Sequence, residues 1–476
     1  MTALVVGLWG VRRQNTLWSD EAVTYEVAHR GTADVWRLLA EADVVHGLYY
    51  FLMHAVLACW ESGPGSGPGG GPGLDSGLES GLIALRLPSV LAVAATAAGV
   101  ALLGRRLAGP RAGLLAGLVL PFLPDMQRYA QEGRSYALVC ALLTWGTWLL
   151  LNALDGGVGG SRRWAGYGAV MLAACLLHEF AVLGLVAHGV TVALSSKRLH
   201  PWAMTAAAVA AGLAPLALLS AAQSGQVAWI GVPDSSVLLT FAGTASLGVA
   251  CALTGLRRTK DSGSIALPAL ALPLLLLPAG LLLLLSPLRP LYVDRYVLYA
   301  SIGLALLIGA ALDRLLPGRR AVIVVAALTA TAASLLPVGP GHDLRTPGSR
   351  SDDVTAVAEA VREMSSPGDG LVFTPARRAW VLATPDAYAE LDDLALIATP
   401  AASATLFGVE AAPAEIRARM QGHRRIVDVR DVPGEPGDST GREAAKRDAL
   451  RTYFEVCESR RVTRAQITAY ARPGLC

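Results

Sequence analysis

Apolar runs of bilayer length recur along this chain, and they constrain it more than any other feature. Leu267 to Leu285 contains no charged residue, and Ala321 to Leu336 is almost as apolar. A helix needs about 20 apolar residues to cross a hydrocarbon core of about 30 Å. Composition agrees: of 476 residues, 53% are hydrophobic and 16% charged, with a mean hydropathy of +0.46. A soluble domain carries roughly 25% charged residues. The expected fold class is therefore an all-α polytopic membrane protein.

About eleven transmembrane helices are expected, at 1–11, 87–104, 111–124, 135–152, 164–178, 180–195, 201–220, 236–255, 265–286, 296–312 and 320–337. The first is too short to cross alone, as if a misplaced start had trimmed it. No basic leader or cleavage-type motif precedes it, so no signal peptide is expected. Basic residues fall in loops of one parity: Arg105, Arg106 and Arg111; Arg162 and Arg163; Lys197 and Arg198; Arg257, Arg258 and Lys260; Arg314, Arg319 and Arg320. By the positive-inside rule those loops are cytoplasmic. The other loops face outward: 12–86, 125–134, the corner at 178–180, 221–235 and 287–295. Parity also decides HGLYYFLMHAVLACW at 46–60. As a span it would invert every later loop, so it reads as an interfacial helix. The Gly/Pro stretch at 62–73 reads as a linker.

Beyond residue 340 the composition turns polar. The domain expectation is 1–339 in the membrane, with 12–86 as a large outer loop, and 340–476 as a small extracytoplasmic α/β domain. A helix is expected over 352–364 with Ser351 as its cap, strands at 370–374 and 425–430, and helices at 413–420 and 442–457. Cys457 and Cys476 sit in this tail, and sequence alone leaves open whether they pair. No CxxC motif occurs, so neither a zinc site nor a redox pair is indicated.

Polar clusters lie in the outward loops. Asp20 and Glu21 stand together near a helix start, fit for a general base, a cation site or simply a favourable helix N-terminus. Asp43 and His46 are three apart. Arg128, Tyr129, Glu132 and Arg134 crowd one short loop, where arginines hold phosphate or pair with the acid. His178 and Glu179 interrupt an apolar run, and Arg295 and Tyr296 sit at the mouth of a later span. Five clusters on one face fit a site opening outward. No P-loop or dinucleotide fingerprint occurs, so neither a nucleotide cofactor nor nucleic acid is expected. Charges are scarce within the spans, which speaks against an ion-coupled transporter.

Seven segments carry a resemblance: LWSDEA at 17–22, DVVHGLYYFLMH at 43–54, ALRLPSVLA at 84–92, GRRLAGPRAGLLAGL at 104–118, RYAQEGRSYAL at 128–138, LHEFA at 177–181 and LYVDRYVLYAS at 291–301. In this order the chain resembles the glycosyltransferase family 39 or PMT-like group of the GT-C superfamily, especially actinobacterial members labelled mannosyltransferase. Protein O-mannosyltransferases and the lipid A aminoarabinose transferase are more distant relatives. The resemblance implies an inverting enzyme of the cell envelope. It would move a sugar, such as mannose or another hexose or pentose, from a polyprenyl-phosphate donor to a glycan, lipid or protein acceptor at the outer face. It makes Asp20 the general base, or the group that orients the acceptor or a cation, with Glu21 in support, and places Asp43 and His46 along the sugar or acceptor pocket. Arg128, Arg134 and Arg295 become candidates for the lipid phosphate, with Tyr296 beside it. No cofactor is certain, though a divalent cation fits the chemistry. Position 19 is Ser where relatives commonly carry a charged or larger polar residue. The competing readings are a lipid-linked sugar flippase and an inactive membrane scaffold.

Overall fold

The computed structural model describes residues 1–62, 77–156, 160–195, 198–227, 229–254, 265–316, 323, 340–375, 379–382, 384–432 and 440–476. The linker at 62–73 and the expected span at 320–337 lie almost wholly outside the described residues, as do Lys197, Arg257, Arg258, Lys260, Arg319 and Arg320. The described chain divides into two compact units. The first comprises Met1–Trp9, Asp43–Tyr49 and Arg86–His342; the second comprises Gly10–Ala42, Tyr50–Leu85 and Asp343–Cys476. Much of the segment that the sequence reads as the first outer loop thus belongs to the same unit as the C-terminal residues.

The first fourteen helices in chain order are α1 (Thr2–Leu8), α2 (Ser19–His29), α3 (Thr32–Glu41), α4 (Gly47–Glu61), α5 (Gly77–Ala108), α6 (Pro110–Val119), α7 (Pro124–Tyr129), α8 (Tyr136–Leu154), α9 (Gly160–Leu177), α10 (Val182–Leu194), α11 (Leu199–Ala222), α12 (Ser235–Leu253), α13 (Leu267–Leu285) and α14 (Ala300–Leu315). Five helices among the described residues are long and apolar enough to cross a membrane: Ser80–Ala108, Tyr136–Leu154, Leu199–Ala222, Ser235–Leu253 and Leu267–Leu285. The protein is a helical membrane protein with a C-terminal unit that contains strands.

Helix ends follow local chemistry. Pro110 opens α6, where its missing N–H costs nothing. Asp234 caps α12 by accepting from the Val237 N–H at 3.0 Å. In the first unit α8 packs on α9, α6 on α14, and α14 on α13. Lipid supplies no hydrophobic drive between helices, so close backbone approach does the packing. A Cβ on Gly113 would come within 2.3 Å of the Ala101 carbonyl, and one on Gly309 within 2.5 Å of the Ala116 nitrogen. Only glycine lets α5, α6 and α14 meet so closely. At one end of α13, Ala279 and Leu282 pack with Val297, Phe180, Leu183 and Leu291, so the corner before α10 and the segment before α14 rest on one apolar cluster.

The second unit contains a five-stranded sheet. Its strands are β1 (Gly370–Thr374), β2 (Asp392–Asp393), β5 (Arg425–Asp431), β6 (Glu455–Val462) and β7 (Ala465–Ala471), in the order β2-β1-β5-β7-β6. β1 runs parallel to β2 and β5; β7 runs antiparallel to β5 and β6. A separate antiparallel pair joins β3 (Leu396–Ala398) and β4 (Val409–Glu410). The helices of ten or more residues described after Asp343 are α15 (Val354–Met364), α16 (Pro413–Gly422) and α17 (Gly441–Tyr453). Val372, Ile416, Met420, Ile426, Ala449 and Leu450 form its core.

Three expectations for the tail need correction. The cap of α15 is Asp353, whose carboxylate accepts from the Ala356 N–H at 3.0 Å, not Ser351. The last helix stops at Tyr453, and Glu455 to Cys457 begin a strand, because the sheet edge takes up the chain there. The hairpin of β6 and β7 is additional to the expected strands. Cys457 and Cys476 are joined by a disulfide, with their Cα atoms 5.3 Å apart.

Candidate active site

In the first unit, four short segments bring polar and aromatic side chains together. The first follows a turn at Asp43, whose φ of 59° is left-handed, a conformation that short polar side chains tolerate. The turn is fastened where the Val44 N–H donates to Gln223 Oε1 at 3.0 Å. Asp43 Oδ1 lies 2.6 Å from His46 Nδ1, and Arg134 Nη2 lies 3.0 Å from His46 Nε2. A guanidinium only donates, so Nε2 accepts and Nδ1 carries the proton toward Asp43.

The second segment, Arg128 to Tyr136, is fixed through its backbone and Gln131. Ser89 Oγ donates to the carbonyls of Glu132 at 2.6 Å and Arg134 at 3.3 Å. Gln131 Nε2 donates to the carbonyls of Gly7 at 2.8 Å and Trp9 at 2.6 Å. Glu132 and Arg134 are buried. The Arg128 guanidinium lies over the Tyr129 ring at 5.8 Å. Tyr129 donates to Asp294 Oδ1 at 3.0 Å. Burial first, and then the Asp294 charge, raise the Tyr129 pKa and keep it a neutral donor.

His178 occupies the corner between α9 and α10, which is tied down where Tyr299 donates to the Phe180 carbonyl at 2.8 Å. Its ring centroid is 4.6 Å from Tyr296, 5.5 Å from Tyr136 and 6.2 Å from His46. Burial first, and then the charges of Arg134 and Arg295, lower its pKa well below the ordinary imidazole value. His178 is therefore a neutral, aromatic wall at physiological pH.

The fourth segment presents Arg295. Its Nε donates to Tyr136 Oη at 3.1 Å, and its guanidinium lies over Trp229 at 5.5 Å and over Tyr136 and Tyr296 at 5.8 Å each. Two arginines, 134 and 295, thus stand in one aromatic-walled cluster with His46, Tyr136, His178 and Tyr296. Guanidiniums set in such surroundings attract an anionic group, phosphate above all. Sequence reasoning missed Trp229, which lies in the segment between α11 and α12 with no charged residue beside it to mark it. It also missed Ser89, although the ALRLPSVLA motif contained it.

In the second unit, LWSDEA forms the first turn of α2. The Ser19 N–H donates to Asp352 Oδ1 at 2.8 Å, and Ser19 Oγ donates to Asp352 Oδ2 at 2.7 Å. Asp352 thereby caps α2 while its neighbour Asp353 caps α15. The Leu17 carbonyl accepts from the Val354 N–H at 2.8 Å. Glu21 is fully buried and faces the equally buried Arg13, Nη1 to Oε2, at 3.3 Å. Arg13, Gln14 and Asn15 all have positive φ, a run that costs roughly 1–2 kcal/mol per residue. Asp20 is half-buried, one residue before the locked Glu21. A cation bound by Glu21 would meet the Arg13 charge. Among the described residues no group of three or more His, Cys, Asp or Glu side chains is placed to hold a metal ion.

No protein-family model matches the chain, and no curated protein does. Among solved structures it is similar to ArnT from Cupriavidus metallidurans bound to undecaprenyl phosphate. Identity is 15% and the TM-score 0.55, over 98% of this chain and 96% of that one. ArnT in the apo state gives the same values. The arabinofuranosyltransferase AftD from Mycobacteria is 17% identical with a TM-score of 0.49, over 99% of this chain and 39% of its own length. The likeness to ArnT extends over nearly the whole of both chains, and it is one of fold.

Proposed function

We propose that the protein is an inverting glycosyltransferase that takes a sugar from a polyprenyl-phosphate donor and passes it to an acceptor at the extracytoplasmic membrane face. The observation that carries this reading is the pairing of Arg134 and Arg295 within one aromatic-walled cluster. As the glycosyl bond breaks, negative charge grows on the leaving phosphate, and preorganised guanidiniums stabilise it. The ArnT structure holds undecaprenyl phosphate, and the shared fold supports a lipid of that kind as donor here.

In this reading Arg134 and Arg295 bind the phosphate, with Arg128 as a further positive charge. The Asp43–His46 pair aims Arg134. Tyr136, His178 and Tyr296 line the pocket, and Tyr129 and Glu132 shape the loop that bears the arginines. Asp20 accepts the proton of the attacking hydroxyl or amine, and Glu21, fixed by Arg13, orders the turn that presents it. Inversion needs one base and an activated leaving group, not the acid and base pair of a hydrolase. The sugar is a hexose or pentose, with mannose favoured by the resemblance, and the acceptor is a glycan, lipid or protein. The outer location rests on the parity of the basic loops and gains support from the Cys457–Cys476 disulfide, since such bonds persist in oxidising compartments.

Donor binding tests this directly. Arg295→Ala weakens binding of a polyprenyl phosphate to the purified protein, and Arg295→Lys retains part of it, because Lys keeps the charge but loses the planar fork. Unchanged affinity in both variants would reduce Arg295 to an interfacial anchor.

A further inference from the structure

We propose that a cleft in the second unit, between α17 and the β5-β7-β6 face of the sheet, binds the acid group of an anionic saccharide. This site is separate from the residues assigned to sugar transfer and does not rest on that assignment. The cleft encloses about 380 Å³ and is lined by Arg430, Arg447, Leu450, Arg451, Phe454, Val456 and Tyr470. Small-molecule sites run from about 300 to 1,000 Å³.

Helical and strand periodicity place these residues. Arg447, Leu450, Arg451 and Phe454 follow the i, i+3, i+4, i+7 spacing along and just beyond α17, so two arginines and two apolar groups share one stripe. On the sheet, Tyr470 pairs with Ile426 of β5 and with Val456 of β6. Directly paired residues share a face, and so do residues two apart on a strand. Arg430 therefore emerges on the same side as Tyr470 and Val456. Its placement is fixed: Nε donates to Asp428 Oδ2 at 2.6 Å, and Nη2 donates to Tyr470 Oη at 2.7 Å. Asp428 is itself fully buried and accepts from Thr374 Oγ1 at 2.8 Å. One arginine is thus preorganised at the floor, and two more flank the opening, Arg451 with its Nη2 donating to Asp448 Oδ1 at 2.8 Å.

The remaining lining decides what kind of anion fits. Phe454, Tyr470, Leu450 and Val456 give the cleft an apolar and aromatic floor, with the ring of Phe454 further covered by Arg472 at 4.9 Å. A bare phosphate would leave that floor uncovered. A sugar ring lays its C–H face on such a surface while its carboxylate reaches the guanidiniums. The ligand class is therefore a uronate-bearing saccharide.

The test uses the full-length protein in detergent and three probes: trigalacturonate, the neutral maltotriose and inorganic phosphate, with binding read by calorimetry. The wild type binds trigalacturonate saturably and more weakly as salt rises, binds no maltotriose, and shows no competition by phosphate at equal concentration. The double variant Arg447→Ala/Arg451→Ala, melting like the wild type, binds trigalacturonate roughly tenfold more weakly or worse, as loss of charge-assisted hydrogen bonds requires. A second variant, Phe454→Leu, keeps the charges and also weakens binding. Absence of saturable trigalacturonate binding, or undiminished affinity in the folded double variant, would overturn the site. Phosphate competing as well as the uronate would overturn the saccharide assignment.

Discussion

Arg134 Nη2 lies 3.0 Å from Nε2 of His46, and that contact settles where the imidazole carries its proton. The proton sits on Nδ1, 2.6 Å from Asp43 Oδ1. Asp43, His46 and Arg134 then form a chain in which each group orients the next, and the chain ends on a guanidinium assigned to phosphate.

His46→Phe removes both hydrogen bonds while leaving a ring of similar size. Affinity for polyprenyl phosphate falls about tenfold, the scale of one hydrogen bond to a charged group. Asp43→Asn costs less, since an amide oxygen still accepts from Nδ1. Equilibrium binding to the purified variants reads both effects, and equal affinities across the series would contradict the chain.

Glu21 and Arg13 are a buried ion pair, so breaking it is chiefly a matter of stability. Glu21→Gln leaves Arg13 facing a neutral group, at a cost of about 3–5 kcal/mol. Arg13→Met exposes the converse defect. Thermal unfolding in detergent shows both singles melting well below the wild type, and the double variant Arg13→Met/Glu21→Leu regaining part of the loss. Wild-type melting in the single variants would refute the pairing.

The cap on α2 comes from Asp352. Asp352→Ala lowers stability by about 1 kcal/mol, the usual cost of a lost cap, and loosens the turn that bears Asp20. Turnover therefore falls more than the melting temperature alone would suggest. Ser19→Ala removes only the hydroxyl contact and costs less in both measurements.

His178 gives the protein an acid-sensitive element. Its folded pKa is lowered, so the unfolded chain takes up a proton at a pH where the folded one does not. Its contribution to stability is present above about pH 6.5, the ordinary imidazole value, and declines as pH falls below it. Melting temperatures between pH 7.5 and 5 should drop more steeply for the wild type than for His178→Phe. Parallel curves would remove this assignment.

Much of this was legible in the sequence, for identifiable reasons. Helices such as α8, α12 and α13 announce themselves through unbroken apolar runs, and the structure bounds them within two residues of the expectation. The strand at Gly370–Thr374 was bounded by glycine and proline and came out as read. Asp43, His46, Arg134, His178, Arg295 and Tyr296 were visible because ionisable and aromatic groups stand out between spans. Other features left no local signal. Asp352 lies 333 positions from Ser19, and nothing near either residue marks the contact. Arg13 reaches Glu21 only through a backbone turn of three left-handed residues, which no glycine advertises. The β6–β7 hairpin turns through Arg464 at φ 56° in place of the Asn-Gly signal, and β6 is exposed along most of its length, so it lacks the alternation of a half-buried strand.

The central claim is sugar transfer from a polyprenyl phosphate with Asp20 as base, and one assay addresses it. Purified protein in nanodiscs is incubated with radiolabelled polyprenyl-phosphate mannose and a panel of glycan, lipid and peptide acceptors, and label transfer is compared between wild type and Asp20→Asn. The account predicts transfer to at least one acceptor by the wild type. It also predicts a fall on the order of 10² to 10⁴ in Asp20→Asn with donor binding and melting temperature retained, as loss of a general base requires. Wild-type turnover in a folded Asp20→Asn variant would contradict it.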